Sequence, residues 1–171
     1  MNATVLAAPA MPRRLRVVAP WPGQPNRKSR PKLDPCGVAS KATLFERLET
    51  IGELAPEAPL SFLVVRVHGM GDGVALSDDA HDRLTSVARL TQKLTRPTDF
   101  VGRLGPTSFG VVLQGTGSGS AGAIASRLGH QLRALAPCRP PLSVTVSAAS
   151  GTGCNALTLP RAAMDGLEDC C

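Results

Sequence analysis

The stretch Asp99-Phe-Val-Gly-Arg-Leu-Gly-Pro-Thr-Ser-Phe-Gly-Val-Val-Leu-Gln114 sets the strongest limit on the fold. It holds two apolar runs, residues 100–104 and 109–114, separated by a tight turn that begins Gly105-Pro106. A connection that short lets two strands pair only antiparallel, so the stretch reads as a β-hairpin. Just upstream, Arg96-Pro-Thr-Asp99 presents a cation and a carboxylate, and Pro97 ends the preceding helix.

The remaining elements follow from periodicity. Leu44, Leu48 and Ile51, with Phe45 alongside, fall on one helical face, which predicts an amphipathic helix over 40–54 with Ser40 as N-cap. Pro59 leads into Leu60-Ser-Phe-Leu-Val-Val-Arg-Val-His68, a β-branched run that reads as a buried strand. Ser77 caps the next helix, where Asp78, Asp79 and Asp82 complement the N-terminal dipole. Leu84, Val87, Ala88, Thr91 and Leu94 carry that helix to about Thr95. After the hairpin, Gly115–Gly122 is a flexible turn with Ser120 as helix cap. A helix bearing Ile124, Leu128, Leu132 and Leu135 follows, and Pro137 stops it. Residues 141–147 alternate as a strand, a polar loop comes next, and 159–167 form a last helix. The order helix, strand, helix, hairpin, helix, strand, helix implies an α+β fold with a mainly antiparallel sheet flanked by helices.

Charge divides the chain in two. Residues 1–33 carry seven Lys/Arg and no acid, a charge of +7, while 34–171 hold 12 basic and 13 acidic side chains, a charge of −1. The basic pI therefore belongs to a Pro- and Arg-rich N-terminal tail, expected to be disordered because it has too few apolar residues to offset its ordering entropy. Its run Arg27-Lys28-Ser29-Arg30-Pro31-Lys32 reads as a solvated linker, ahead of a contact for nucleic acid or an acidic partner, and Trp21 between prolines as a short docking anchor. The neutral remainder, 34–171, argues against a nucleic-acid-binding surface. Five cysteines (36, 138, 154, 170 and 171) show no metal spacing, and the odd count argues against a disulfide scaffold. Cys170-Cys171 reads as a frayed terminus or a lipid or redox site. No apolar run approaches the roughly 20 residues of a membrane span, and Met1–Ala10 lacks a signal peptide's charged start. A cytoplasmic, reduced protein is expected.

The motifs around the hairpin resemble those of the bacterial GGDEF (diguanylate cyclase) domains. In that family an Arg-x-x-Asp precedes an Arg-x-Gly-Gly-Asp/Glu-Glu-Phe hairpin. Arg96 and Asp99 match the first, and Arg103, Gly105 and Phe109 match the frame of the second. Pro106, Thr107 and Ser108 stand where the family has its second glycine and two acids. Weaker echoes run from 34 to about 169. Asp34–Lys41 resembles the entry motif, with Ser40-Lys41 for Asn-Arg. Val144-Thr-Val-Ser147 resembles Val-Thr-Val-Ser-x-Gly, with Ala149 at the glycine. Ala162–Glu168 resembles Ala-x-x-Tyr-x-Ala-Lys, with Glu168 in place of a phosphate-binding lysine. The family strand ending in a metal-binding Asp-x-Asp overlays Arg66-Val67-His68, or Val64 after a two-residue slip. The resemblance implies a nucleotidyl-cyclase-like domain over 34–171.

It also implies what is missing. Joining two GTP molecules needs a divalent metal held by carboxylates, and this chain offers Arg66 or Val64, Thr107 and Ser108 at those places. Pro106 removes an N–H from a turn whose close approach to nucleotide relies on glycine. No cyclase activity, no magnesium site and no other cofactor are expected. Arg96 and Asp99 match the family's inhibitory site for cyclic di-GMP. A carboxylate can accept the N1–H and N2–H of guanine, and a guanidinium can grip O6/N7 or a phosphate. The alternative is a surface ion pair worth about 0–1 kcal/mol. Arg66, Arg83 and Arg89 are open as a second arginine. The resulting expectation is an inactive, cyclic di-GMP-binding signalling module that acts on a protein partner or a second copy. The alternatives are an interaction module without nucleotide, or residual cyclase or GTP binding.

Other patterns give weaker leads. Gly117-x-Gly119-x-x-Gly122 opens a helix after a strand, as a dinucleotide-binding loop does, but no acid follows before Asp165. Asp72, Asp78, Asp79, Asp82 and His81 crowd one helix start, where first-turn acids do not converge as metal ligands do. His68, His81 and His130 show no catalytic spacing.

Overall fold

The computed structural model describes residues 33–70, 77–135 and 143–168. The helices are α1 (Lys41–Leu54), α2 (Asp78–Leu94), α3 (Ser118–Leu135) and α4 (Leu159–Glu168). The strands are β1 (Pro59–His68), β2 (Phe100–Gly105), β3 (Ser108–Gln114) and β4 (Ser143–Thr152). They form one sheet in the order β2-β3-β1-β4, and every pair is antiparallel.

β1 is central and has helices on both sides. Leu63, Val65 and Val67 face a core with Leu84, Val87 and Ala88 of α2 and Leu128 and Leu132 of α3. Leu60, Phe62 and Val64 face the opposite core, with Leu44, Leu48 and Ile51 of α1 and Ala163 and Leu167 of α4. Burial on both faces explains why β1 reads as an unbroken apolar run although its pairing is antiparallel. The helix starts follow their caps. Ser40 Oγ accepts from Thr43 N–H at 3.3 Å and Ser77 Oγ from Ala80 N–H at 3.3 Å.

Two glycines set the spacing between α1 and the hairpin. A Cβ on Gly110 would lie 2.8 Å from Leu44 Cδ2 and would overlap the Phe62 ring. One on Gly102 would lie 2.9 Å from Leu44 Cβ. Only hydrogen at these paired positions lets α1 lie this close to the sheet.

Two sequence expectations are corrected. β4 continues to Thr152, where a polar loop after Ser147 was expected. Its second half is small and polar, yet it stays paired with β1 from Leu63↔Ala148 to Pro59↔Thr152, and Ser61 Oγ meets Ser150 Oγ across the ladder at 2.8 Å. Backbone pairing outweighs side-chain polarity at an edge strand. Second, α3 opens at Ser118, with Ala121 N–H donating to Gly117 O at 3.0 Å, so Ser120 sits inside the first turn and is not the cap. The dinucleotide-loop pattern that the sequence already disfavoured gains no support there. Gly117, Gly119 and Gly122 have no positive φ and nothing within 4 Å of an added Cβ. The tail 1–32 with Trp21, and Asp72, Pro137, Cys138, Cys170 and Cys171, lie outside the described residues. No described helix is long and apolar enough to cross a membrane.

Candidate functional site

The segment before α1 shapes the hairpin's outer edge. Asp34 Oδ1 accepts from Cys36 N–H at 2.9 Å and turns the chain. Ala39 then bridges β2, donating to Val101 O at 3.3 Å and accepting from Arg103 N–H at 2.7 Å. This contact covers part of an otherwise open strand edge. Arg103 is held by three neighbours. Its guanidinium lies 5.0 Å from the Phe109 ring centre, Nη1 donates to Cys36 Sγ at 3.3 Å, and Nη2 donates to Pro106 O. The Arg-x-Gly…Phe frame is thus a brace that pins the turn. Burial pushes the Cys36 thiol up, and the Arg103 charge opposes this.

The turn itself packs on the end of β1. Gly105 pairs with Ser108, Arg66 lies across from Ser108, and Val67 N–H donates to Thr107 O at 2.9 Å. Val64 is fully buried opposite Gly110 in the α1–α4 core, whereas Arg66 is half-buried beside the turn. A cleft of about 1010 Å³ opens here. Gly105, Pro106, Thr107 and Ser108 form one wall, Arg66 and His68 the floor, Lys41 and Phe45 of α1 a second wall, and Arg161, Met164 and Asp165 of α4 a third. His68 Nε2 is fixed by Thr145 Oγ1 at 2.9 Å. Phe109 is excluded from the cleft by full burial in the other core.

Magnesium wants several carboxylate oxygens in near-octahedral geometry. Among the described residues lining the cleft the acid is Asp165, beside three cations and the hydroxyls of Thr107 and Ser108. No group of three or more His, Cys, Asp or Glu able to hold an ion occurs among the described residues. The donor set does not fit the ion. The acid cluster at the start of α2 is likewise dispersed, with Asp79 paired to Arg83 at 2.8 Å.

Arg96 and Asp99 lie elsewhere, at the α2–β2 junction. Asp99 Oδ2 accepts from Arg96 N–H at 2.9 Å, and Asp99 N–H donates to Arg96 O at 3.0 Å, a reciprocal pair that closes the turn around Pro97. The expected alternative, a side-chain ion pair, is absent: among the described residues no Arg96–Asp99 contact falls within the 4.0 Å salt-bridge limit. Burial pushes the Asp99 carboxyl up from its ordinary range, partly offset by the Arg96 N–H and charge. A groove of about 280 Å³ adjoins both residues and includes Gln92, Thr95 and Phe100. The second-arginine candidates are not brought there. Arg66 lines the cleft by the turn, Arg83 pairs with Asp79 near the far end of α2, and Arg89 is not among the groove's lining residues.

Sequence reasoning missed Lys41, Arg161 and Asp165 as parts of the cleft. The available signal was placement. Lys41 ends the entry motif and begins α1, and Arg161 and Asp165 stand one turn apart on the face of α4 opposite Ala163 and Leu167. Glu168 ends α4, and its side chain lies outside the described residues.

The sequence matches no known family model and no curated protein. Its structure does have relatives. The GGDEF domain of DgcB from Caulobacter crescentus, solved with c-di-GMP, superposes at a TM-score of 0.68 and 12% identity, over 84% of this chain and 91% of that one. Diguanylate cyclase SiaD from Pseudomonas aeruginosa, solved with its activator SiaC, gives 0.66 at 21% identity over 80% of this chain. The match spans 58% of SiaD, less than two thirds of its length. The FimX GGDEF domain from Pseudomonas aeruginosa gives 0.62 at 14% identity, over 78% of this chain and 91% of that one. On these superpositions the chain is a GGDEF-like domain in fold.

Proposed function

We propose that this chain is a GGDEF-like domain without cyclase activity that binds cyclic di-GMP through Arg96 and Asp99 and passes the bound state to a protein partner or a second copy. The observation that carries the reading is the Arg96–Asp99 turn. A hydrogen bond from Arg96 N–H holds a half-buried carboxylate beside a groove without pairing it to a cation, in a turn closed by Asp99 N–H donating to Arg96 O. Each carboxylate oxygen has two acceptor sites, so Oδ2 can take a guanine N–H while keeping that of Arg96. A side chain already ordered by the turn loses little entropy on binding. The c-di-GMP in the DgcB structure and the activator in the SiaD structure support a ligand and a protein partner as classes.

The absence of cyclase chemistry is supported by residue identity. The turn carries Pro106, Thr107 and Ser108, and Arg66 faces Ser108 where a carboxylate would be needed. No magnesium or other cofactor is part of the proposal. Calorimetry with cyclic di-GMP, wild type against Arg96→Ala, tests it. Saturable binding lost in the variant supports the site, and no heat with wild type ends it. The groove is small for a ligand pocket, which favours as second reading a protein-interaction module without nucleotide. A pull-down insensitive to cyclic di-GMP would select that reading.

A further inference from the structure

We propose that the outer edge of β4 is a self-association surface, on which a second copy of this chain adds its own β4 antiparallel and continues the sheet across a two-fold axis at Ala148. The hydrogen bonds at the two ends of β4 fix which backbone groups face outward. Gly153 N–H donates to Ala58 O at 3.0 Å, toward β1, and the residues of an antiparallel strand alternate sides from there. At the other end Val144 O accepts from Arg133 Nη1 at 3.0 Å, off the ladder. Both observations give one alternation: Val144, Val146, Ala148, Ser150 and Thr152 turn their N–H and C=O away from β1. Among the described residues, Val146, Ala148, Ser150 and Thr152 find no backbone partner on that side.

Edge strands are ordinarily guarded by charge, proline, a bulge or a covering segment. β2, the other edge, has the Ala39 bridge and a register shift between Arg103 and Gly105. β4 reads Ser-Val-Thr-Val-Ser-Ala-Ala-Ser-Gly-Thr over ten residues, with no charge and no proline, and its register with β1 is unbroken. Nothing in its sequence repels a further strand.

The occupant that fits is the strand itself. A two-fold axis normal to the sheet keeps like faces together. Centred on Ala148, it sets Val146 opposite Ser150 and Thr145 opposite Gly151, so each branched side chain meets a small one. Ala148, exposed in the single chain, meets its own copy methyl to methyl. Charge agrees at the ends. Arg133 is anchored at the Val144 end, and exposed Glu57 adjoins Ala58, which pairs at the Thr152 end. Antiparallel pairing brings the cationic end of one copy to the acidic end of the other, on both sides of the axis. A ten-residue strand falls short of the roughly 20–30 residues a side of a stable interface, so the dimer should be weak and concentration-dependent. Arg96 and Asp99 precede β2, at the opposite edge of the sheet, so the inference stands apart from the cyclic di-GMP reading.

The test is sedimentation velocity of the full chain over a wide range of concentration. Monomer should give way to dimer, with self-affinity weakened about tenfold or more in Ala148→Pro, which deletes a hydrogen bond on each side of the axis. Proline there removes an outward N–H and no bond to β1, so the melting temperature should hold. Ala148→Lys keeps every backbone group and should also weaken the dimer, because it sets two like charges face to face. Calorimetry with cyclic di-GMP should not separate either variant from wild type. A monomer at every concentration overturns the proposal, and so does a dimer untouched by both variants. A dimer that disappears when residues 1–32 are removed would assign the contact to that segment and overturn it equally.

Discussion

Asp99 carries two opposed demands, and pH separates them. Burial raises its carboxyl pKa in the folded chain, and the Arg96 N–H and charge only partly offset the shift. The folded state therefore holds the proton more tightly than the unfolded state. The stability contribution is fully present below the unfolded value near 3.9 and is lost as pH rises through the higher folded value. The guanine recognition proposed for Asp99 has the opposite sign, because only the carboxylate can accept both N–H groups. Asp99→Asn keeps an acceptor for Arg96 N–H and removes the buried charge. It should melt at or above wild type at pH 7, with the gap closing on acidification, while cyclic di-GMP affinity falls by about tenfold or more. A thermal-shift series from pH 4 to 7 beside calorimetry checks both, and a variant that melts lower yet binds normally would contradict them. For wild type, cyclic di-GMP affinity should decline on acidification with a midpoint above the ordinary carboxylate value.

At the scale of elements the hairpin shows what was legible and what was not. Gly-Pro between two apolar runs predicts β2 and β3, and Leu44, Leu48 and Ile51 predict the buried face of α1, because each signal is local. The end of β4 was not legible. Ala148 to Thr152 has no apolar alternation, and its strand state comes from pairing with a β1 distant in sequence. The cleft was half legible for the same reason: Arg66 and the turn could be overlaid on a motif, but Lys41, Arg161 and Asp165 meet them only through packing of α1 and α4. Two predictions belong here. Gly110→Ala pushes a methyl against Leu44 and Phe62, so overpacking should lower unfolding free energy by about 1–3 kcal/mol in urea titration. Restoring the turn with Pro106→Gly, Thr107→Glu and Ser108→Glu should yield no cyclic di-GMP from GTP and Mg²⁺, because Arg66 still faces position 108. Product from that triple variant would show that Arg66 does not exclude the metal.

The whole molecule is two bodies of charge with one hydrophobic organisation. The buried apolar side chains of the described residues fall between Cys36 and Leu167, most of them in two cores separated by the sheet. The seven basic side chains of residues 1–32 precede them, and without that segment the formal charge changes from +6 to −1. If folding draws on the two cores and the basic segment serves contact, the two properties must separate on truncation. A chain beginning at Leu33 keeps the Leu33↔Ala39 bridge and the Asp34 turn that seat Ala39 against β2. It should therefore unfold within a few tenths of a kcal/mol of the full chain, the range for changes away from packed features, and keep its cyclic di-GMP affinity. On immobilised heparin the full chain should be retained and elute as salt shortens the screening length, while the truncated chain passes through. Equal retention of both would move the anionic contact onto the folded domain, where the Lys41–Arg66–Arg161 cleft is the surface to examine, and Arg66→Ala in the truncated chain would then decide between that cleft and a dispersed surface charge.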